Sequence, residues 1–130
     1  MIRRLRQGEH GQALVEMALV LPLFFLLLFG VIEMGRVGYA YITVCNAARA
    51  GARTASIGAI NSVIENSIYD AAFSLDSVTY DIDPYLLENR QSGQQVTVQV
   101  TYPVQLVIPI ISNVISNPVV VSSKIIMRLE

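Results

Sequence analysis

The sequence predicts an α+β protein: a long N-terminal transmembrane helix running on into a small head with a second helix and a three-stranded antiparallel sheet. Three observations predict it. An uncharged apolar run, Met17 to Ile32, lies near the start of a 130-residue chain. A helical period then persists to about residue 57 and resumes at Ile60. From Val78 the period changes to two, and it recurs after Val96 and Val119. Helices first, then strands with turn-length gaps, form an antiparallel sheet packed on one helical face.

Length and composition set the outer bounds. There is room for one domain beside one membrane helix. The chain is 53% hydrophobic and 15% charged, with a formal net charge of −1. Without residues 1–11, which carry three arginines and Glu9, six positive and nine negative side chains remain. No face gathers Lys and Arg as a nucleic-acid footprint requires, so no nucleic acid is expected as a partner. Cys45 is the single cysteine, which excludes an internal disulfide and any multi-cysteine metal site. It reads as a small apolar filler on a helix.

The residue inventory also bounds the chemistry. His10 is the only histidine and lies in the polar leader. Beyond the leader, Ser-His-Asp, Cys-His and zinc arrangements are therefore excluded. No Gly-rich phosphate loop is present. Asp76, Asp81 and Asp83 form the only acidic cluster, and they read as solvated strand-end carboxylates, because calcium needs six or more oxygens. Neither catalytic residues nor a metal, cofactor or small-molecule substrate is expected.

Arg3, Arg4 and Arg6 precede the apolar run. No small-residue cleavage site follows it closely: the nearest A-x-A is Ala48-Arg49-Ala50, sixteen residues past Ile32. Signal-peptidase removal is therefore not expected, and the run reads as a retained anchor. Met17–Ile32 alone makes about 24 Å of helix, short of a ~30 Å hydrocarbon core, whereas Ala13–Gly35 makes about 34 Å. The full span thus includes Glu16 and Glu33, each near one face where it can snorkel or take a proton. The leader arginines favour a cytoplasmic N-terminus, a bias weakened by Arg36, Arg49 and Arg53 on the far side. Pro22 removes the helix partner of the Ala18 carbonyl and predicts a kink.

A carboxylate set into the start of a membrane helix costs roughly 2.5 to 3.5 kcal/mol on insertion scales, and the spacing around Glu16 suggests a use for it. Gly11 is followed by four residues and then Glu16. Basic leader, glycine, four residues, glutamate and apolar helix is the pattern that prepilin peptidases read, with the cut between Gly11 and Gln12. Gly8 has Ala13 at the same offset and does not fit.

Residues 33–57 read as the same helix beyond the bilayer. Glu33 and Arg36, three apart, can pair on one face, and Tyr39 and Tyr41 suit a membrane–water interface. Gly30, Gly35 and Gly38 weaken an isolated helix but let a neighbouring backbone approach. Ala47, Ala48, Gly51 and Ala52 then make a small-residue face. It packs either on the protein's own sheet or on the helix of a sister subunit. Arg49 and Arg53 make a second face and can meet a carboxylate.

Gly58 is the expected break. Ile60, Val63, Ile64, Ser67, Ile68, Ala71, Ala72 and Leu75 keep a helical period, an amphipathic helix whose polar side lacks Lys and Arg and whose stripe is core. Val78–Ile82 alternates and is closed by Pro84. Arg90-Gln91-Ser92-Gly93 is the turn signal before Val96–Tyr102, the clearest strand. An apolar excursion, Val104–Ser116, leads to a final strand with Val119, Val121, Ile125, Met127 and Leu129 on one face.

The stretch GQALVEMALVLPLFFLLLFGVIEMGR, followed by NAARAGART, resembles the TadE-like family of minor pseudopilins of the tight-adherence (Tad) machinery, which builds a type IV-like pilus. The resemblance is closest from Gly11 to about Ala55 and rests on strand order and the closing VVVSSKIIMRLE thereafter. It implies a pilin-like head, with 1–11 as prepilin-type leader, 12–36 as transmembrane helix, 37–75 as helical stalk and second helix, and 76–130 as β head. It further implies that Gly11 precedes the cut, that Gln12 is the new N-terminus, and that Glu16 is the pilin-type glutamate. Many type IV pilins begin with Phe or Met, and Gln12 departs from that. The implied role is structural, without catalysis. The implied partners are a prepilin peptidase, sister pseudopilins and pilin subunits, the Tad inner-membrane assembly platform and the lipid bilayer. The implied location is the bacterial inner membrane, single-pass, with the N-terminus cytoplasmic and the head extracytoplasmic, entry into a surface pilus being open. Two other readings stay open: a major type IV-like fibre subunit, and an unprocessed membrane-tethered binding domain.

Overall fold

The computed structural model describes residues 5–85, 87–108 and 115–130. Arg3 and Arg4 of the expected leader, and Pro109 of the apolar excursion, lie outside the described residues. The chain divides into two compact units, Met1–Met34 and Gly35–Glu130.

The first unit is the N-terminal part of α1 (Leu5–Ser56), a helix of 52 residues that runs without a break through Pro22. Its most apolar 18-residue window has a mean hydropathy of 2.6, with none of it buried. Leu19, Leu23, Phe24, Leu27 and Val31 are all exposed, and Phe25 stacks on Phe29 one turn along at 6.1 Å between ring centroids. A continuous apolar surface of this kind is not left in water by a soluble domain; lipid covers it, and a helix meets its own backbone hydrogen bonds there. Among the described residues, one helix is long and apolar enough to cross a membrane, and it makes the chain a membrane protein anchored near its N-terminus.

The second unit is the head. The C-terminal part of α1 enters it with Ala40, Val44, Ala47, Ala48, Gly51, Ala52 and Ala55 buried on one stripe. Spacings of three and four keep these residues on a single face, and their small size lets other elements lie close to the helix axis. Gly58, at φ +75°, ends the helix: its amide donates to the Ala55 carbonyl at 3.0 Å in a left-handed turn that glycine adopts without strain. α2 (Asn61–Ala71) buries Ile64 and Ile68 fully, each worth about 1.5 to 3 kcal/mol in apolar transfer. The periodicity predicts helix as far as Leu75, but the Ala72 amide is shared between the Ile68 and Tyr69 carbonyls and the chain turns away. Ser74, Asp76 and Ser77 follow, the last at φ 64°, so the turn chemistry prevails although Ala72 remains in the core.

The sheet has the order β1-β2-β3, antiparallel throughout, from β1 (Thr79–Asp83), β2 (Gln95–Val104) and β3 (Val119–Arg128). Tyr80 pairs with Val100 and Ile82 with Val98, while Val98 pairs with Ile125 and Val96 with Met127. Val96, Val98 and Val100 are fully buried, and Val119, Val121, Ile125 and Met127 share their side of the sheet, as the alternation predicts. β2 runs two residues past the expected stop and includes Pro103. The Thr101 carbonyl faces β1, accepting from Thr79 Oγ1 at 3.2 Å. Pro103, two residues on, faces the same way but past the last β1 pair, Thr79–Thr101, so its missing N–H breaks no β1 ladder bond.

Two polar side chains close the connections. Arg90 donates from Nε to the Pro84 carbonyl at 2.9 Å, from Nη1 to Ala59 at 3.1 Å and from Nη2 to Tyr85 at 3.2 Å, and it also bonds Asn61 Oδ1. Burial lowers its pKa. Asn117 Oδ1 accepts from the Leu106 amide at 3.0 Å while its Nδ2 donates to the Leu106 carbonyl, so one side chain serves both backbone groups. Glu130 ties the chain end to α1 through the Ser56 carbonyl at 3.0 Å. Among the described residues, no buried side-chain nitrogen or oxygen lacks a partner.

Candidate functional site

Gly11, Gln12 and Glu16 lie on one exposed stretch of α1. Gln12 Nε2 donates to Glu16 Oε1 at 3.3 Å, so the residue after the expected cut and the expected pilin-type glutamate share a helix face, one turn apart. A Cβ added at Gly11 would meet nothing within 4 Å. The fold does not require glycine there, and a helical glycine costs roughly 0.5 to 1 kcal/mol relative to alanine.

The contrast with Gly51 is sharp. A Cβ there would lie 2.6 Å from Ile68 Cγ1 and 3.2 Å from Val98 Cγ1, so this glycine is demanded by α2 and β2. Ala47, Ala48 and Ala52 have no exposed surface. Of the two readings of the small-residue face, packing on the chain's own helix and sheet is the one observed. Gly30, Gly35 and Gly38 resemble Gly11, with open space around each.

Arg49 and Arg53 lie exposed on the opposite side of α1, with Arg53 in its last turn where a cation suits the helix dipole. Arg36 Nη2 donates to the Gln105 carbonyl at 3.3 Å. Glu33 is buried, at 4% exposure. Tyr39 and Tyr41 are exposed, and the Tyr39 hydroxyl donates to Ser74 Oγ at 2.9 Å. Cys45 is a free, half-buried thiol. Among the described residues, no group of three or more His, Cys, Asp and Glu can hold a metal ion.

Local sequence pattern places Arg90 in a turn signal and gives no sign of its long-range bonds or of the contact between α2 and β1. There the Tyr80 ring meets Tyr69 edge-on at 5.8 Å. Burial and the Glu65 carboxylate push the Tyr80 hydroxyl up to about 12.

An unburied apolar helix followed by a small α+β head defines a membrane-anchored α+β protein. Residues 11–53, within the long helix α1, match the family model described as TadE-like protein, and the match begins at Gly11 itself. No curated protein and no solved structure matches the chain.

Proposed function

We propose that this chain is a minor pseudopilin, a structural and assembly subunit of a Tad pilus or secretion apparatus without catalysis. The observation that carries the reading is the family match starting at Gly11, on a helix whose apolar surface is left uncovered by the rest of the chain. In this reading a prepilin peptidase cuts between Gly11 and Gln12, and the leader is lost on the cytoplasmic side of the inner membrane. The head stands outside, and the mature helix passes from the bilayer into an assembly with sister pseudopilins and pilin subunits on the Tad platform.

Glu16 then meets the new amine of Gln12, its own or a neighbour's, and fixes the axial register. The open space at Gly30, Gly35 and Gly38 supports close approach by a neighbouring helix in this span. The exposed Arg49 and Arg53 are suited to a carboxylate on a sister subunit, and Glu33 and Arg36, three apart, to an ion pair on one flank. Isolation of the chain from membranes tests the proposal. Co-purifying sister pilin subunits are expected, whereas recovery with extracytoplasmic ligands alone favours the unprocessed tether. Abundance in sheared surface fibres identifies a major subunit instead.

A further inference from the structure

The turn after α2 comes down beside the first residues of the head. Ile68 packs on Gly51, sixteen residues or about 24 Å along α1 from Gly35, which closes the apolar stretch. Ser74, six residues further in the chain, is tied much lower. The Tyr39 hydroxyl donates to Ser74 Oγ at 2.9 Å, and Tyr39 stands four residues or about 6 Å from Gly35. α2 and its turn therefore run back along α1 towards the bilayer. A helical side chain also leans towards the N-terminus of its helix, which brings the Tyr39 hydroxyl and Ser74 lower still. The Leu75 amide donates to the Ala72 carbonyl at 2.8 Å and closes the turn, with Phe73 and Ser74 at its tip.

Phe73 is 86% exposed, against 73% for Leu19 in the membrane span. A single exposed apolar side chain needs no explanation by itself, but its height gives this one a neighbour. The polar headgroup layer extends roughly 5 to 8 Å beyond the hydrocarbon core on each side. Ser74 is tied at about that height, and a phenyl ring one residue away reaches the boundary where the apolar side chains of membrane-surface segments are buried. The exposed Tyr39 and Tyr41 stand in the same layer, where aromatic rings gather. Charge does not draw the turn down: Asp70 and Asp76 flank it, and no Lys or Arg lies between Arg53 and Arg90. We infer that the turn after α2 docks on the bilayer surface through Phe73, its ring entering the boundary between headgroups and acyl chains. The occupant is lipid, held by apolar contact rather than by headgroup charge. The inference rests on α1 as the membrane span and not on the pseudopilin reading. It gives the head a second hold, which restrains its tilt on a single anchor.

Tryptophan fluorescence of the full chain in phosphatidylcholine vesicles tests this. The chain has no tryptophan, so each single variant reports one place. Phe24→Trp reports the middle of the span and Phe73→Trp the turn. Ile126→Trp reports the far end of the head, since Glu130, four residues on, bonds Ser56, twenty-one residues from Gly35 on α1. All three positions are exposed, so none of the substitutions disturbs the core. Phe73→Trp is expected to emit at shorter wavelength than Ile126→Trp. It should lose most of its emission to lipids brominated near the headgroup end of the acyl chain. Phe24→Trp should be quenched best by lipids brominated near the chain terminus, and Ile126→Trp by neither. Emission and quenching of Phe73→Trp equal to those of Ile126→Trp, with Phe24→Trp still quenched, would overturn the docking alone. A blue-shifted Phe73→Trp that no brominated lipid quenches would mean a ring covered by protein, such as a second copy, and would overturn lipid as the occupant. Absence of quenching in Phe24→Trp would overturn the membrane span as well, so the failures are distinguished.

Discussion

Gly51 and Ile68 pack so closely that a Cβ on residue 51 would stand 2.6 Å from Ile68 Cγ1 and 2.9 Å from its Cδ1. The contact brings α2 onto α1 and makes the helix that leaves the membrane part of the head's own core. Gly51→Ala should therefore destabilise the head by about 1 to 3 kcal/mol through overpacking, offset only in part by ~0.5 to 1 kcal/mol of helix propensity. Gly38→Ala, where the added Cβ meets open space, should instead gain that propensity. Denaturant unfolding of the full chain in detergent checks both, and the opposite order would contradict the packing described.

Arg90 joins the chain after β1 to the start of α2. Arg90→Met should cost about 1.5 to 3 kcal/mol, because the Pro84, Tyr85 and Ala59 carbonyls lose a charged donor. Hydrogen exchange should rise over residues 59–61 and 84–90 before it rises in β2. Uniform exchange across the head would show that Arg90 is not a local clamp.

Much of this architecture was legible because it rests on periodicity. The alternation from Val96 and from Val119 identifies β2 and β3 and their buried sides, and the motif around Gly11 coincides with the start of the family match. Periodicity failed where apolar residues serve the core without belonging to the helix: Ala72 and Leu75 continue the stripe of α2 but occupy a turn. Pro103 hid the end of β2, because whether a proline interrupts a strand depends on which neighbour its nitrogen faces. Arg90 and Asn117 were illegible for a different reason. Each bonds backbone groups far along the chain, Arg90 reaching Ala59 across 31 positions, and no local pattern records such a partner.

Tyr80 makes head stability depend on alkaline pH. Its folded pKa is raised from 10.0 to about 12, first by burial and then by the Glu65 carboxylate. The folded state holds the proton more tightly, so the contribution is fully present below pH 10 and is lost as pH rises towards 12. Tyr80→Phe should flatten the fall in stability over that window. An unchanged alkaline profile would contradict the raised pKa of Tyr80.

Glu16→Leu should still be inserted and processed, since the span only becomes more apolar. The amine of mature Gln12, with a reference pKa near 7.7 to 8.0, would then lack its counter-charge among packed helices, and a buried unpaired charge costs several kcal/mol. The variant is expected to accumulate as mature monomer in the membrane. Normal co-purification with sister pilins would remove the assembly role of this carboxylate.

The most direct test of the pseudopilin reading is the mass of the N-terminal peptide of the protein extracted from membranes of cells with an active prepilin peptidase. Processing predicts a chain that begins at Gln12, with Gly11→Val retaining the leader because a branched side chain crowds the scissile position. A wild-type protein recovered only with residues 1–11 still attached would contradict the reading and leave a tethered head in its place.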